Sequence, residues 1–274
     1  MAIIFDGKLF AFQKSEELKK DVLDLNTKGL FPHLASIVIG DNPASKLYVS
    51  LKKKAGEKIG IQVDVYYLPE TTKKEDLLTL INTLNMDNEV SGIMIQLPIP
   101  GELSSFKDEI IGTIYKEKDV DGLRDDSPFI HPTSKAAIEI LNYAKTLSDI
   151  NQLIISKICV VGSTGMVGKP LVKELKEEGY EVIECDSLTK DIKNLTLKAD
   201  VIISATGVFN IVKADMVKEG AIIIDIGSPK GDFEESVSQK AGFFTPVPGG
   251  VGPVTISYLL DNLIKSKKGI YNTH

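Results

Sequence analysis

The sequence predicts an α/β protein of two domains, each built on a parallel β-sheet. Two observations lead to this prediction. Short β-branched runs alternate with stretches of helical periodicity along the chain, and strands that alternate with helices form parallel sheets. The chain is also 274 residues long, which is enough for two domains that each bury a core of their own.

The apolar patterning locates the elements. The predicted strands cover residues 34–39, 62–67, 91–97, 157–161, 181–185, 201–205 and 221–226. The predicted helices cover residues 8–28, 44–59, 73–86, 104–114, 133–147, 166–179 and 254–266. An acidic, helix-poor stretch at 116–126 gives an N-terminal domain at 1–125 and a C-terminal domain at 126–253. We expect the last segment, 254–274, to pack back on the N-terminal domain, and the two domains to enclose an interdomain cleft.

Composition and charge exclude several classes of partner. The net charge of −6 argues against the broad basic surface that nucleic-acid binding requires. The apolar runs are too short to cross a bilayer and the first residues carry no targeting pattern, so we expect a cytoplasmic protein with no membrane partner. The two cysteines, Cys159 and Cys185, lie in β-rich runs, which predicts buried thiols and neither a disulfide scaffold nor a zinc site.

A glycine-rich turn follows the predicted strand at 157–161. The turn reads Gly-Ser-Thr-Gly-Met-Val-Gly over 162–168 and opens a predicted helix. Glycines let the backbone approach a pyrophosphate, and a helix N-terminus directs unpaired N–H groups toward it. A purely structural turn is the alternative, but the surrounding strand and helix favour a Rossmann-type domain that binds a dinucleotide. The residues expected to bind it are Gly162, Ser163, Thr164, Gly165 and Gly168.

An acid, Asp186, ends the next predicted strand, 24 residues beyond Gly162. Near this spacing an acid accepts hydrogen bonds from the adenosine ribose and repels a 2′-phosphate, which favours NAD. The alternative is that Asp186 caps the following turn beside Ser187 and Thr189, because Asp and Ser are common turn residues. Both interpretations stay open on the sequence, and Ser187 is counted among the candidate cofactor residues.

The predicted helix at 44–59 carries the candidate base. Tyr48 and Lys52 lie four residues apart and share one face, at the margin of the core, where a lysine is partly desolvated and can serve in proton transfer. The alternative is that the lysines at 52–54 form a solvated charged face. The face expected to pack against the sheet is the apolar stripe of Leu47, Leu51, Ala55 and Ile59.

Two further segments carry polar groups at expected ligand positions. Gln96 opens the run Gln-Leu-Pro-Ile-Pro at 96–100 and falls at the carboxyl end of a predicted parallel strand, where open α/β sheets bind ligands. It can bond a lysine or a substrate, or simply cap the strand. Asp121 lies in Asp-Val-Asp-Gly at 119–122, which lacks the further oxygen ligands and closing acid of a calcium loop. We therefore expect no metal site.

Taken together, these residues resemble the bifunctional methylenetetrahydrofolate dehydrogenase/cyclohydrolase family. The resemblance rests on Tyr48 and Lys52, the runs at 96–100 and 118–122, and Thr-Pro-Val-Pro-Gly-Gly-Val-Gly-Pro at 245–253. It covers nearly the whole chain, from residue 4 to residue 262. It implies oxidation of 5,10-methylenetetrahydrofolate to the methenyl form, followed by hydrolysis to 10-formyltetrahydrofolate, in one-carbon metabolism and purine biosynthesis.

The resemblance also implies a cofactor, an assembly and residue roles. NADP is the family default, NAD is the alternative, and a homodimer is expected. Lys52 would be the acid/base of hydrolysis, Gln96 would orient it, Tyr48 would stack on the folate, and Asp121 would bond the pterin ring. Further folate contacts are expected from Pro98, Pro248, Gly249 and Gly250, and a backbone contact to the cofactor from Ser228.

The sequence departs from the family pattern in three places. Ser163 and Thr164 stand where many members carry Arg and Ser, which, with Asp186, puts the preference for NADP in doubt. The segment between Gly122 and Thr133 is shorter than usual, and the family's proline-cysteine-threonine-proline appears as His-Pro-Thr-Ser at 131–134. Ser228 replaces a common isoleucine. Two alternatives remain, namely another dehydrogenase on this scaffold, of the amino-acid or shikimate type, and a dinucleotide sensor without turnover.

Overall fold

The computed structural model describes residues 2–147, 150 and 155–270. The chain packs as two compact units. We call the unit formed by Phe12–Pro132 and Ile256–His274 the N-terminal unit, and the unit formed by Met1–Ala11 and Thr133–Thr255 the C-terminal unit. Each is built on a parallel sheet, so the predicted α/β class is confirmed.

The helices and strands alternate through most of the chain. In chain order they are β1 (Ile3–Ile4), α1 (Gly7–Thr27), β2 (His33–Ile39), α2 (Pro43–Lys58), β3 (Gln62–Leu68), α3 (Lys74–Met86), β4 (Gly92–Ile95), α4 (Lys107–Thr113), α5 (Pro132–Thr146), β5 (Lys157–Val161), α6 (Gly168–Glu177), β6 (Glu181–Cys185), α7 (Ile192–Thr196), β7 (Val201–Ser204), β8 (Ile222–Asp225), β9 (Phe243–Phe244) and α8 (Val251–Lys268). Short 3-10 helices lie at Gly101–Phe106, Lys116–Lys118, Ala214–Met216 and Glu235–Gln239.

The N-terminal unit has a three-stranded sheet in the order β3-β2-β4, with all pairs parallel. The central strand β2 is buried at all seven positions because both faces of the sheet are covered. Leu34 and Val38 pack in a core with residues of α1 and α8, whereas Ile37 and Ile39 pack in a second core with residues of α3 and α4. A strand buried on both faces reads as a continuous apolar run, which is the pattern of a parallel sheet.

The C-terminal unit has a six-stranded parallel sheet in the order β1-β9-β8-β7-β5-β6. Strand β5 lies between β6 and β7, so the chain leaves β5 toward one edge and later returns to its other side. This reversal of strand order is the topological switch point at which open α/β sheets bind ligands. Strands β5, β7 and β8 are almost entirely buried and form the centre of the core.

The predicted elements agree with the structure except in detail. Strands β5 and β6 have the predicted bounds, and the other predicted strands differ by up to three residues in total. The predicted helix at 104–114 is a 3-10 helix followed by α4, and the predicted helix at 166–179 is α6, because 166–167 belong to the glycine turn. Strands β1 and β9, with two residues each, and helix α7, with five, were not predicted. Within the described residues, every helix is too short or too polar to cross a membrane.

The boundaries between the two units fall at different residues from the expected domain boundaries. The first eleven residues belong to the C-terminal unit, because β1 pairs with β9 and Phe5 contacts Phe243 and Tyr143. The division after the first sheet falls at 132/133 rather than 125/126. In the expected C-terminal segment 254–274, residues from Ile256 onward lie with the N-terminal unit, and residues 271–274 lie outside the described part.

Candidate active site

Helix α2 presents to the core a face that differs in part from the one predicted. Of the stripe predicted to pack inward, Leu47 and Leu51 are 60% and 42% exposed, so these two were predicted wrongly. Ala55 and Ile59 do pack with the core. The buried residues are Ser45, Val49 and Gly56, at intervals of four and seven. Lys52 falls between them on the same stripe, three residues after Val49. The lysine therefore lies on the inward face of α2 and is half-buried.

The start of α2 is fixed by its first residues. The side chain of Asn42 accepts hydrogen bonds from the backbone N–H groups of Ala44 and Ser45, at 2.9 and 3.1 Å, and Pro43 occupies the first helical position. Such a cap satisfies backbone donors that a helix start leaves unpaired, and proline suits a position whose N–H has no partner. The cap therefore fixes the residue at which the helix begins.

Lys52 and Gln96 are in direct contact. The Lys52 ammonium donates to Oε1 of Gln96 at 3.2 Å and approaches Sδ of Met94 at 3.1 Å. The backbone N–H of Gln96 donates to the carbonyl of Ile37 and continues the ladder beyond β4. Its side-chain Nε2 donates to the carbonyl of Leu97 at 2.8 Å. That second bond fixes the amide so that its oxygen faces the lysine.

The loop that contains Asp121 lies beside β4. Asp119 forms a parallel bridge with Ile93, and its buried carboxylate accepts from the backbone N–H groups of Leu123 and Arg124 at 3.3 and 2.9 Å. Burial raises the pKa of Asp119 to about 6, against the opposing effect of these bonds. Asp121 is half-buried on this loop. The structure thus brings Lys52, Gln96 and the Asp121 loop to one region of the N-terminal unit.

Two other residues predicted to contact the folate, Tyr48 and Pro98, are close in sequence to Lys52 and Gln96. Tyr48 lies one helical turn before Lys52 and is 40% exposed. Pro98 is exposed and follows a cis peptide bond with Leu97. An exposed ring and an exposed proline beside half-buried polar groups form a surface on which a flat heterocycle can pack.

His131 is a residue of this region that sequence analysis noted only as a departure from the family pattern. It is 5% exposed, and its backbone nitrogen lies 2.8 Å from the place of a methyl group on Gly122. Asn262 holds the two segments together by donating to the carbonyls of Val120 and Ile130, at 3.0 Å each. Burial lowers the pKa of His131; the nearby Asp121 carboxylate opposes this effect, and the Lys52 ammonium adds to it. The imidazole is therefore neutral at pH 7.

The glycine turn of the C-terminal unit is held by backbone bonds. The N–H groups of Gly162 and Ser163 donate to the carbonyl of Cys185 at 2.8 and 3.0 Å, and the buried Ser163 hydroxyl donates to the same carbonyl at 3.2 Å. A methyl group on Gly168 would collide with the Gly162 carbonyl, so α6 can begin there only with glycine. The turn has the close strand-to-helix packing of a pyrophosphate cradle, which fits a dinucleotide.

Asp186 forms the turn cap that was the alternative interpretation. Its Oδ1 accepts from the backbone N–H of Leu188 at 2.9 Å and from the hydroxyl of Thr189 at 3.1 Å, while its own N–H donates to that hydroxyl at 2.9 Å. Ser187 is exposed in the turn. The carboxylate is half-buried at the end of β6, on one side of the glycine turn. A ribose contact remains a prediction.

The remaining candidates lie in the C-terminal unit. Ser228 is exposed after β8. Pro248 is exposed, and the backbone N–H of Gly250 donates to the carbonyl of Pro246 at 2.8 Å, which closes a turn through Gly249. The structure therefore places Pro248, Gly249 and Gly250 with the cofactor candidates, whereas the other folate candidates lie in the N-terminal unit.

The sequence also led to predictions about a metal site and about the state of the two cysteines. The part of the chain that the structure describes contains no group of three or more His, Cys, Asp or Glu side chains able to hold a metal ion. Cys159 and Cys185 are buried, free thiols with their sulfur atoms 3.6 Å apart. The prediction of buried thiols is confirmed.

A strand, glycine turn, helix and acid-ended strand at the switch point of a parallel sheet define a Rossmann-type dinucleotide-binding protein. The catalytic-domain profile of the tetrahydrofolate dehydrogenase/cyclohydrolase family matches residues 5–121. The profile of its NAD(P)-binding domain matches residues 132–270. The chain therefore belongs to the tetrahydrofolate dehydrogenase/cyclohydrolase family.

Individual relatives agree with this membership. The "Bifunctional protein FolD" of Lactobacillus acidophilus is 41% identical over 97% of each chain. The crystal structure of the bifunctional methylenetetrahydrofolate dehydrogenase/cyclohydrolase of Campylobacter jejuni superposes with a TM-score of 0.88 at 38% identity, covering 98% of this chain and 99% of that one. The Trypanosoma brucei enzyme, solved with NADP and an inhibitor, has a TM-score of 0.88 at 30% identity, covering 98% of both chains.

Shikimate dehydrogenases share the fold at a greater distance. The Thermus thermophilus enzyme has a TM-score of 0.56 at 15% identity and covers 87% of this chain and 94% of that one. At this identity the likeness concerns the fold alone. The alternative that this chain is a shikimate-type dehydrogenase is therefore supported by the shared fold and by nothing further in this comparison.

The buried carboxyl of Asp119 predicts a specific dependence of stability on pH. Its pKa is about 6 in the folded chain, against an ordinary value of 3.8, so folding favours the protonated form. We expect the free energy of unfolding of the wild type, relative to Asp119→Asn, to be highest below pH 4. It should fall by up to about 3 kcal/mol as pH rises through 6.

Urea unfolding at a series of pH values measures this difference, with the exposed Asp108 changed to Asn as the matched control. The control difference should stay flat over the same range. A wild-type advantage over Asp119→Asn that grew between pH 4 and pH 6 would contradict the assigned environment of Asp119.

Proposed function

We propose that the two units divide the work of a bifunctional enzyme, with the folate and proton chemistry assigned to the N-terminal unit and the dinucleotide to the C-terminal unit. By its family, the chain is a methylenetetrahydrofolate dehydrogenase and methenyltetrahydrofolate cyclohydrolase. The observation that carries the assignment of residues is the bond between Lys52 and Gln96. It places a half-buried amine at the carboxyl end of β4, which is a ligand-binding position in parallel sheets.

Lys52 is proposed to move the protons of the hydrolytic step. A water molecule adds to the cationic methenyl carbon, and the neutral amine accepts the proton that this water loses. The hydroxyl adduct then loses its remaining O–H proton as the carbon–oxygen double bond forms and the carbon–N5 bond breaks, and N5 takes up a proton in its place. The formyl group stays on N10, and the proton on the lysine is released to solvent as the net product. Gln96 supports this role because a neutral acceptor holds the amine in place without an opposite charge that would trap it as ammonium.

Tyr48, Pro98 and Asp121 are proposed to bind the folate. The exposed ring of Tyr48 and the exposed Pro98 offer apolar surface for the pterin and its neighbouring ring. Asp121 offers a carboxylate to the paired N–H donors of a pterin. The neutral, buried imidazole of His131 adds a polar group that carries no charge of its own next to a cationic substrate.

The glycine turn is proposed to hold the cofactor. Gly162, Ser163, Thr164, Gly165 and Gly168 form the cradle for its pyrophosphate, and the N-terminus of α6 faces the negative charge. When bound, the dinucleotide supplies the acceptor for the two electrons that leave methylenetetrahydrofolate. The chain contributes placement, because oxidation of this substrate needs two correctly oriented rings more than it needs acid or base.

NADP is the family default for the cofactor, and we propose NAD as the alternative that the position of Asp186 supports. The half-buried Asp186 carboxylate stands at the end of β6, where an acid accepts from a ribose 2′-hydroxyl and repels a 2′-phosphate. Ser163, which stands where many members have arginine, directs its hydroxyl to Cys185 and lies buried.

The setting of the enzyme is proposed from the family resemblance. We place it in the cytoplasm as a homodimer that supplies 10-formyltetrahydrofolate for purine biosynthesis. The two free, buried thiols fit a reducing compartment.

Changing Lys52 tests the proposed function most simply. Lys52→Met keeps the aliphatic stem and removes the base, so we expect methenyltetrahydrofolate hydrolysis to fall roughly 100- to 10,000-fold. Binding of NAD or NADP, followed by fluorescence, should change by no more than about twofold because the cofactor cradle is elsewhere in the chain. The exposed neighbour Lys54→Met is the matched control and should hydrolyse normally. Full hydrolysis by Lys52→Met would remove the lysine from the mechanism.

Changing Asp186 tests the cofactor preference. Serine can cap the same turn but carries no charge, so Asp186→Ser should raise the ratio of kcat/KM with NADP to kcat/KM with NAD by about tenfold. The ratio is measured by the oxidation of methylenetetrahydrofolate with each cofactor. Lys190→Ala, which removes a neighbouring exposed cation, should lower the use of NADP or leave it unchanged. An Asp186→Ser ratio equal to that of the wild type would show that the carboxylate does not face the ribose.

A further inference from the structure

A buried carboxylate in the C-terminal unit has no role in the site described so far. Asp232 is fully buried, and four donors converge on its Oδ2. They are the Ser204 hydroxyl at 2.7 Å, the Thr206 N–H and hydroxyl at 2.8 Å each, and the Gly207 N–H at 3.3 Å. All four are uncharged dipoles. A buried charge is costly unless hydrogen bonds replace its water. The four hydrogen bonds therefore stabilise the buried carboxylate, and the carboxylate in turn fixes the positions of the four donors.

The donors belong to the turn that follows β7. Ser204 is the last residue of β7, and Thr206 and Gly207 are the next residues of the turn. Consecutive backbone N–H groups that point at one anion fix the course of a turn. Asp232 comes from a distant part of the sequence, 28 residues after Ser204, so the turn is fixed by a tertiary contact.

The same carboxylate lies against the turn that follows β8. Its Oδ1 is buried and has no hydrogen-bond partner among the described residues, and it would lie 2.5 Å from a methyl group placed on Gly227. The backbone of Asp232 is held there by Asp225, the last residue of β8, whose Oδ1 accepts from the N–H groups of Gly227 and Asp232 at 2.8 and 3.0 Å. The two turns are thus joined through one pair of buried acids.

These two turns lie on one side of the switch point. The glycine turn follows β5, and Asp186 ends β6 on one flank, whereas β7 and β8 lie on the other flank. A dinucleotide in such a sheet lies across the switch point with its pyrophosphate at the glycine turn. Since the acid at the end of β6 marks the adenosine side, the turns after β7 and β8 border the nicotinamide side.

We propose that Asp232 is a positioning residue for the oxidation step, which holds the turn at Thr206–Gly207, and packs against the turn at Gly227, in the shape that receives the nicotinamide half of the cofactor. This inference rests on the proposed function. It assigns Asp232 no contact with substrate and no proton transfer. Its effect should appear in the oxidation of methylenetetrahydrofolate and be absent from the hydrolysis of the methenyl form, which needs no cofactor.

The test compares Asp232→Ala with the wild type in three assays. We expect kcat for oxidation with NAD or NADP to fall on the order of 100-fold, because a small misplacement of a reacting ring is costly. Hydrolysis of methenyltetrahydrofolate without cofactor, and the Kd for ADP-ribose, should each stay within about twofold. ADP-ribose lacks the nicotinamide and reports only on the glycine turn and the β6 side. Glu235→Gln, an exposed acid nearby, is the control and should oxidise normally.

Two milder variants keep the test decisive if Asp232→Ala does not fold. Asp232→Asn retains an oxygen that accepts from the same N–H groups and should keep oxidation within about tenfold of the wild type. Ser204→Ala removes one of the four donors and should lower kcat for oxidation by a few-fold, with ADP-ribose binding unchanged. Equal losses of oxidation and ADP-ribose affinity in these variants would mean a merely structural role, and normal oxidation in all of them would also overturn the inference. A wild-type protein that failed to oxidise methylenetetrahydrofolate would instead refute the proposed function.

Discussion

The proposed chemistry depends on one contact, the hydrogen bond from the Lys52 amine to the side-chain oxygen of Gln96. The contact requires that Lys52 lie on the face of α2 that packs against the sheet. It also requires that Gln96, the residue after β4, be held beside β2 by a backbone hydrogen bond. The first condition is met by the buried positions Ser45, Val49 and Gly56 of α2, and the second by the bond from the Gln96 N–H to Ile37. The internal bond of the Gln96 side chain to Leu97 then selects which end of the amide the lysine meets.

The surroundings of this contact control charge in a consistent way. The amine has a neutral acceptor and a thioether as neighbours, and burial lowers the pKa of His131, which favours its neutral form. Among the acids of the loop at 119–122, Asp121 is the one that we assign to the ligand. Low local charge suits a site that binds a cationic intermediate and needs an uncharged amine to accept a proton from water.

Much of this arrangement could be predicted from the sequence, and the exceptions have physical causes. The glycine turn was predicted from its local spacing, whereas for Lys52 and Gln96 the residues alone left two interpretations open and the resemblance to the family carried the prediction. The inward face of α2 was predicted wrongly at Leu47 and Leu51 because large apolar residues were assumed to be buried, whereas the structure buries the small Ser45 and Gly56. Strands β1 and β9 have two residues each, which is too short for any periodicity to show.

The residues that sequence analysis passed over act through tertiary contacts. Asp232 accepts from donors 25 to 28 positions away, and the segment of His131 is joined to the loop at 119–122 through the side chain of Asn262. A lone acid or histidine in a loop carries no local signal of such contacts. The departure from the family pattern at 131–134 was the one available indication that this segment differs.

The neutrality of the Lys52 partner is the central claim, and the pH dependence of hydrolysis in Gln96→Glu tests it most directly. Glutamate has nearly the same shape but places a carboxylate against the amine. The pH profile of methenyltetrahydrofolate hydrolysis should therefore move to higher pH by about one unit or more. A profile that superimposes on that of the wild type would show that the amine of Lys52 is not the group whose protonation governs the reaction.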